Sequence, residues 1–372
     1  MISRRAMLAF GAAGLAGCRR PKTYGFPGYV FVANQEGRAV AAVDLTAFAV
    51  ARHIRVEGSP TEVVAPPSGA SVFVLAPDVG AVHEINASTL SLRRSARAAQ
   101  GALTMRLSSD QHTLWIAAAH PPRLLGLSLA TLRPTHEIPL PAEPSSFDLA
   151  QNGKLAVVGF GALGKIAITE LDARRLIHLI HVDGSTGPVC FRSDDRCVIA
   201  GNLEKRMLSL FDTNSGMVIT RLPLAVRPEH YCFRADGGQM FLTGEGMDAV
   251  VVVYPHKTPM VAETVLAGRS PGAMAVSSGK PDFLFVTNPA AGNVTILDVV
   301  SRRVVGIVAV GAEPCYATTT PDSQYALVLN RASGDMAVIR VAGFTAKRSK
   351  FAPLFTMIPV GSRPVSAAVK AV

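Results

Sequence analysis

The feature that most constrains this chain is an internal repeat with a period of 42 or 43 residues. Eight short runs rich in β-branched and aromatic residues carry the repeat, and each spans four to eight residues bounded by Gly, Pro, Asn or Asp. They begin at Tyr29, Ser71, Thr113, Leu155, Cys197, Met240, Phe283 and Tyr325. Runs this short, with turn residues at both ends, predict strands rather than the longer helices of a solenoid.

Each repeat contains the same four pieces in the same order. The run itself comes first and a second strand follows a polar turn, as in YVFVAN from Tyr29 and AVAAVDL from Ala39. A third strand such as RRVVGIVAVG from Arg302 precedes a piece that starts near a proline, such as PCYATTTPDS from Pro314. Four short antiparallel strands per repeat predict one blade of a β-propeller. The chain is therefore expected to be all-β, with eight four-stranded blades, and a seven-bladed ring is the alternative.

The phase of the repeat predicts how the ring closes. The first unit starts at Tyr29 without a Pro-led strand before it, and the chain ends on an orphan Pro-led strand, residues 364–372. That last strand is expected to complete the first blade from the inside. Pairing of the N- and C-terminal strands would then remove the open edges that a partial ring exposes.

The second strands of the repeats end on short polar residues in matching positions, where a side chain can accept a bond from the backbone of the next turn. These residues are Asp44, Asn86, Ser128, Glu170, Asp212 and Asp298. We interpret their role as structural, not catalytic.

The N-terminus has the pattern of an export signal. Arg4 and Arg5 precede an apolar run from Ala6 to Ala16, which is too short to span a bilayer. The segment resembles a twin-arginine signal, and the sequence Leu-Ala-Gly-Cys that ends at Cys18 resembles the lipobox of bacterial lipoproteins. The resemblance implies a signal peptide over 1–17, a tether over 18–28 lipidated at Cys18, and one propeller domain over 29–372. An uncleaved anchor or a chance match is the alternative.

Charge is concentrated near this expected tether. The chain has a formal net charge of +10, and removal of 1–17 with Arg4 and Arg5 would leave +8. Arg19, Arg20 and Lys22 account for three more charges, so 23–372 retains +5. A basic segment beside an acyl chain favours an anionic membrane surface, facing the periplasm or the cell surface. The choice between inner and outer membrane stays open, and no nucleic-acid-binding motif is present.

The strand sequences resemble one known family. YVFVAN with AVAAVDL, and FLFVTN from Phe283 with NVTILDV from Asn293, resemble the YVTN-repeat β-propeller family over residues 29–372. The family is similar to propellers of the lactonase type and to the domain that carries the d1 haem in a nitrite reductase. The resemblance implies the fold and leaves the chemistry open. It favours a binding or scaffolding module for an unknown protein partner or a small anionic ligand.

The candidate ligand site is the mouth of the central channel, where the loops entering the innermost strands converge. The residues expected there as ligand-binding groups are Arg227, Arg269, Arg363, Tyr316 and Glu62. Three guanidinium groups around one opening favour a carboxylate or a phosphate. Glu229 and Glu313 are the acids expected to compete for the arginines.

The alternative function is a lactonase-like hydrolase with Glu229 and His230 as its catalytic candidates, because His230 precedes an inner strand and suits a general base. The family's lactonase positions are not matched, and neither are ligands for a d1 haem, so no cofactor is expected. His178 and His181 are three apart on a strand and therefore face opposite sides, which argues against a metal site. Cys190 and Cys232 are expected to be separate buried thiols.

Overall fold

The computed structural model describes residues 25–345 and 352–372 and contains eight four-stranded antiparallel sheets. The expected signal peptide and Cys18 lie outside these residues. Blades 1 to 4 comprise β32 (Pro364–Ala371), β1 (Gly28–Asn34), β2 (Ala39–Asp44) and β3 (Ala49–Arg55); β4 (Glu62–Val64), β5 (Ser71–Ala76), β6 (Ala81–Asn86) and β7 (Ser91–Arg97); β8 (Ala102–Leu107), β9 (Thr113–Ala119), β10 (Pro122–Ser128) and β11 (Pro134–Pro139); and β12 (Ser146–Leu149), β13 (Leu155–Gly159), β14 (Lys165–Glu170) and β15 (Arg175–His181).

Blades 5 to 8 repeat the same inner-to-outer order. They comprise β16 (Thr186–Phe191), β17 (Cys197–Asn202), β18 (Met207–Asp212) and β19 (Val218–Pro223); β20 (His230–Phe233), β21 (Met240–Thr243), β22 (Ala249–Tyr254) and β23 (Met260–Leu266); β24 (Met274–Val276), β25 (Phe283–Asn288), β26 (Asn293–Asp298) and β27 (Arg303–Ala309); and β28 (Pro314–Thr319), β29 (Tyr325–Asn330), β30 (Asp335–Arg340) and β31 (Leu354–Pro359). Short 3-10 helices occupy four loops, at Pro77–Val79, Gly161–Leu163, Pro289–Ala291 and Val341–Phe344. The eight-bladed prediction is confirmed, and the seven-bladed alternative is wrong.

Counted outward from the inner strand, the second strand of each blade carries the apolar run of the repeat. It is apolar on both faces because each face packs on a different neighbouring blade. In β1, Val30 and Val32 belong to a cluster shared with blade 8, whereas Phe31 and Ala33 belong to a cluster shared with blade 2. All four side chains are fully buried. Alternate residues of a strand point to opposite faces, so a strand between two sheets has no polar side. This arrangement explains the unbroken apolar runs that define the repeat.

The ring closes through the last strand, as the repeat phase predicts. β32 pairs antiparallel with β1, and the register places Val369 opposite Val30. Lys370 is 3% exposed, and its ammonium group donates hydrogen bonds to the carbonyl oxygens of Pro66, Pro67 and Ser68 in the β4–β5 loop. The closing strand is therefore attached to blade 2 as well as to blade 1.

The turn residues behave largely as the sequence predicts. Asp44 Oδ1 accepts hydrogen bonds from the backbone N–H of Thr46 at 2.7 Å and of Ala47 at 3.1 Å. Asn86, Asp212 and Asp298 cap their turns in the same way. Glu170 differs, because its longer side chain pairs with Arg175 at 2.9 Å. Ser128 contributes its backbone carbonyl, which accepts from Leu132 N–H at 2.7 Å.

In blades 1 and 5 the asparagine at the end of the repeat motif joins adjacent blades. Asn34 Nδ2 donates to the carbonyl of Val360 at 2.7 Å, and Asn202 Nδ2 donates to the carbonyl of Val182 at 2.9 Å. Val360 and Val182 each lie in the loop that arrives from the preceding blade. A buried amide can satisfy such loop carbonyls where water cannot reach them. In blades 7 and 8 the equivalent asparagines donate within their own blades, Asn288 to Asn293 and Thr295 and Asn330 to Asp335.

Substitution Lys370→Ala should destabilise the ring, because it leaves three carbonyl groups without their buried donor. We expect a loss of about 1 to 3 kcal/mol in the free energy of unfolding, measured by urea denaturation. The matched control is Lys205→Ala, since Lys205 is exposed and its side chain makes no hydrogen bond with the described residues. Equal midpoints for the two variants would contradict the closing role of Lys370.

Candidate functional site

The inner strands of the eight blades surround a central channel, and the loops that lead into these strands lie on one face of the disc. Backbone hydrogen bonds join these loops to the loops between second and third strands, such as Gln35 N–H to Arg363 O at 3.0 Å and Arg227 N–H to Glu245 O at 2.7 Å. We call this the upper face and the opposite one the lower face. Gly25, the first described residue, lies beside the β2–β3 turn on the lower face.

The channel widens into a cleft of about 500 Å³ below the upper face. Six of the residues that line it carry a polar group or a thiol and bear on binding: Arg106, Glu229, His230, Tyr231, Cys315 and Tyr316. They lie on β8, on or directly before β20, and on β28, in three different blades. The structure therefore brings His230 and Tyr316 together, as the sequence predicted, and adds Arg106.

Two of the three predicted rim arginines are held by acids of their own blades. Arg227 pairs with Glu245 at 2.6 Å and lies 3.7 Å from Glu229, and Arg363 pairs with Glu36 at 3.2 Å. Glu245 and Glu36 are in the loops between second and third strands of the same blades as the arginines they pair with.

Blade 8 uses the same two loop positions with the charges exchanged, because Glu313 pairs with Arg331 at 2.9 Å. The acid expected to compete for a rim arginine thus binds a different one. Arg269 is exposed and makes no side-chain hydrogen bond or ion pair with the described residues. Of the three predicted rim arginines, it is the one that stays unpaired there.

Glu62 lies inside the channel rather than beside Arg363. Its Oε1 pairs with Arg106 Nη1 at 2.7 Å, and its Oε2 accepts from Thr104 Oγ1 at 2.8 Å and from Met105 N–H at 2.7 Å. Because both carboxylate oxygens are occupied, Glu62 positions Arg106 across the boundary between blades 2 and 3. It is a positioning residue for the guanidinium.

Arg106 uses only one side of its guanidinium for protein contacts. Nη1 also donates to Thr104 Oγ1 and to the Met105 carbonyl, whereas Nε and Nη2 make no hydrogen bond with the described residues. The ring of Phe147 lies 5.7 Å from the guanidinium carbon, and the side chain is 40% exposed to the channel. Burial alone would lower the pKa of Arg106, but Glu62, Tyr231 and Asp148 together outweigh it, so the pKa is raised. The group is therefore a fixed cation with a free edge.

The sequence prediction did not include Arg106, because it placed the site at strands that begin near a proline. β8 begins at Ala102 after Gly101 and has no proline in front of it. The usable signal was the repeat itself, since Arg106 falls 44 residues after Glu62 on the equivalent strand. A charged residue in an inner-strand position would have marked the site without any proline.

Besides Arg106 and the Glu229 carboxylate at its entrance, the cleft contains His230, Tyr231 and Tyr316, which are uncharged at neutral pH. Burial between the channel walls lowers the pKa of His230, although Glu229 opposes the shift, and the ring makes no hydrogen bond with the described residues. Burial raises the pKa of Tyr231 and of Tyr316, whose hydroxyl donates to the carbonyl of Ala367 at 2.9 Å.

Asp148 lies near Arg106 and accepts from Phe191 N–H at 3.0 Å, and burial raises its pKa. The hydrolase candidate Glu229 lies in the ion-pair set of Arg227 and also accepts from Glu245 N–H at 3.2 Å. The catalytic role of Glu229 stays a prediction.

The cysteines and the remaining histidines do not assemble a metal site in the described part of the chain. Cys190 and Cys232 are free thiols, and burial raises the pKa of Cys190 and raises that of Cys232 to about 12. His178 and His181 lie on the outer strand β15, and His178 Nε2 is 2.7 Å from the carbonyl of Asn214. Within residues 25–345 and 352–372, no helix has the length and apolar character needed to cross a membrane.

The chain matches no protein-family model. No curated protein matches it in sequence either. Solved structures do share its fold. A structure of the dihydro-heme d1 dehydrogenase NirN in complex with DHE is 14% identical, with a TM-score of 0.73 over 94% of this chain and 77% of that one. Kuenenia stuttgartiensis hydrazine synthase is 17% identical, with a TM-score of 0.60 over 76% and 96%.

A third structure, a protein of unknown function from Desulfotomaculum acetoxidans, is 12% identical, with a TM-score of 0.62 over 92% of this chain and 99% of that one. The printed names of these proteins describe different activities. At identities this low, the likeness shows a β-propeller and no more. The function of this chain must be argued from its own side chains.

Proposed function

We propose that this protein is a cell-envelope lipoprotein of the YVTN-repeat type that binds a small organic anion in its central channel. The ligand enters from the upper face and places a carboxylate or phosphate on the free edge of Arg106. The rigid ring holds this edge in place, and the protein acts as a binding module rather than a catalyst.

The observation that carries the proposal is the unpaired Nε and Nη2 edge of Arg106 inside the cleft. These two donors form a planar fork that matches two oxygens of a carboxylate or phosphate. Glu62 already fixes the opposite side of the guanidinium, so little side-chain entropy remains to be lost on binding. Phe147 is buried, and its ring lies 5.7 Å from the guanidinium carbon, where it further restricts the guanidinium.

The rim arginines attract an anion by their positive charge more than they bind it directly. Arg227 and Arg363 are exposed and ion-paired, so they offer a ligand little beyond their positive field. Arg269 is available for direct contact at the mouth, and Tyr316 lines the cleft near Arg106. We therefore propose Arg269 as the first contact of an entering anion and Arg106 as its final one.

The envelope location rests on the lipobox that ends at Cys18 and on where the chain leaves the ring. Gly25 lies on the lower face, opposite the mouth. A tether from Cys18 to Gly25 spans seven residues, or about 25 Å when fully extended. Such a tether would keep the point where the chain leaves the ring near a membrane, away from the upper mouth, which stays accessible to ligands.

Calorimetric titration with citrate at low salt tests the site. We expect the wild type to bind and the double variant Glu62→Gln/Arg106→Met to lose at least about tenfold in affinity, since a charge-assisted pair is worth roughly 1.5 to 3 kcal/mol. The triple variant Arg227→Ala/Arg269→Ala/Arg363→Ala should lose only a few-fold, in a salt-dependent manner. The control Arg303→Met removes an exposed arginine of an outer strand. Equal affinities in the wild type and the Arg106 variant would reject the channel site.

Anion affinity should increase as the pH falls. His230, whose pKa burial lowers, gains a proton only below its ordinary range, and Asp148, whose pKa burial raises, loses its charge earlier than an exposed acid does. Both changes make the cleft more positive. Sulfate keeps its charge over this range, so tighter sulfate binding at mildly acid pH than at neutral pH is the expected result. The variant His230→Gln should show a weaker pH dependence, and a pH-independent wild type would contradict the assignment.

Metabolic labelling with a fatty-acid analogue tests the tether. The wild type should carry the label in the producing bacterium, and Cys18→Ser should not, because the sulfur is the acylated atom. The labelled protein should partition with membranes. A wild type that stays unlabelled would remove the lipoprotein from the proposal and would leave the channel site unaffected.

A further inference from the structure

The outer edge of the ring differs in charge from blade to blade. Eight arginines lie on outer strands: two on β3, three on β7, and one each on β15, β19 and β27. Neither β3 nor β7 contains an acid. We call the outer strands of blades 1 and 2 the basic edge, defined by Arg52, Arg55, Arg93, Arg94 and Arg97.

Most of this charge is available to solvent. Arg52 and Arg55 are exposed and make no side-chain hydrogen bond or ion pair with the described residues. The side chain of Arg97 is 82% exposed, and Glu57, whose side chain is 61% exposed, is 3.6 Å away.

The remaining two arginines of the edge share one acid. Arg93 is 60% exposed and pairs with the buried Glu84 at 3.0 Å, and Arg94 pairs with the same carboxylate. Five arginines set against Glu57 and Glu84 leave a net charge of about +3 on two neighbouring strands. The edge therefore carries a local positive field that its own acids do not cancel.

The chain emerges from the ring beside this edge. Leu45 N–H donates to Gly28 O at 3.1 Å, so the segment leading into β1 lies against the β2–β3 turn. A Cβ atom on Gly25 would be 2.0 Å from Leu45 O, which shows how closely the backbone passes there. β3, with Arg52 and Arg55, begins at Ala49 directly after that turn.

We propose that the basic edge docks on an anionic lipid bilayer, so that the ring stands on blades 1 and 2 beside its anchor. The inference rests on the envelope tether of the proposed function, which brings this edge within about 25 Å of the membrane. Arginines within a Debye length of an anionic surface are attracted to it, and the attraction adds over neighbouring groups. In this orientation the channel axis lies along the membrane, and the mouth opens sideways.

Co-sedimentation with vesicles tests the docking, using the full chain with Cys18→Ser so that no acyl group contributes. The vesicles contain phosphatidylglycerol and phosphatidylcholine, or phosphatidylcholine alone. The edge variant is Arg52→Glu/Arg55→Glu/Arg97→Glu. The control, Arg133→Glu/Arg196→Glu/Arg303→Glu, makes the same charge change at exposed arginines of blades 3, 5 and 7. Melting temperatures establish that both variants fold.

We expect the edge variant to bind the anionic vesicles about tenfold less than the parent at low salt, and the control to change by no more than about twofold. Phosphatidylcholine vesicles should show no difference among the three proteins. Equal losses in edge and control variants would overturn the docking in favour of a general charge effect. Loss of binding to soluble polyphosphate with vesicle binding unchanged would overturn it in favour of a polymer partner.

The test separates this inference from the proposed function. Because every protein carries Cys18→Ser, the result does not depend on lipidation, which the labelling experiment examines. None of the exchanged arginines lines the channel, so citrate binding should be the same in the edge variant and its parent.

Discussion

The pairing of the last strand with the first is the interaction on which the rest of this structure depends. Without β32, blade 1 has no inner strand, and both β1 and the flank of blade 2 lose a neighbour. The buried ammonium of Lys370 strengthens the junction by joining β32 to the loop that follows the inner strand of blade 2. A channel exists only because the ring is closed, so the position of every inner-strand side chain, including Arg106, follows from this contact.

The architecture could be predicted from the sequence because the repeat consists of strand and turn residues. Equal spacing of eight apolar runs specified the blades, and the orphan strand at residues 364–372 specified the closure. The site was predicted less well. His230 and Tyr316 line the cleft, but Glu62 holds Arg106, which was not among the residues predicted from the sequence. Contacts between inner strands of different blades depend on how far the channel wall curves, and a one-dimensional pattern does not contain that information.

On the upper face, the same two loop positions form an ion pair in several blades, with different side chains. In blades 1, 6 and 8 an Arg–Glu pair joins the loop before the inner strand to the loop between the second and third strands. In blade 8 the acid is in the first of these loops and the arginine is in the second. In blades 1 and 5, Asn34 and Asn202 also donate to the loop that arrives from the preceding blade. The charges predicted from the sequence to form a binding rim are therefore largely paired with one another between loops.

The hydrophobic residues form eight clusters in the described chain, and each lies between two adjacent blades rather than inside one. A single blade therefore has no core of its own. Its two faces are halves of two different cores, so the loss of one blade exposes apolar surface on both of its neighbours. Stability in such a ring is shared around the circle, which makes the whole ring, and not the blade that the sequence repeats, the smallest unit able to fold. Duplication of the sequence unit can thus enlarge the ring only by opening one shared core and forming two.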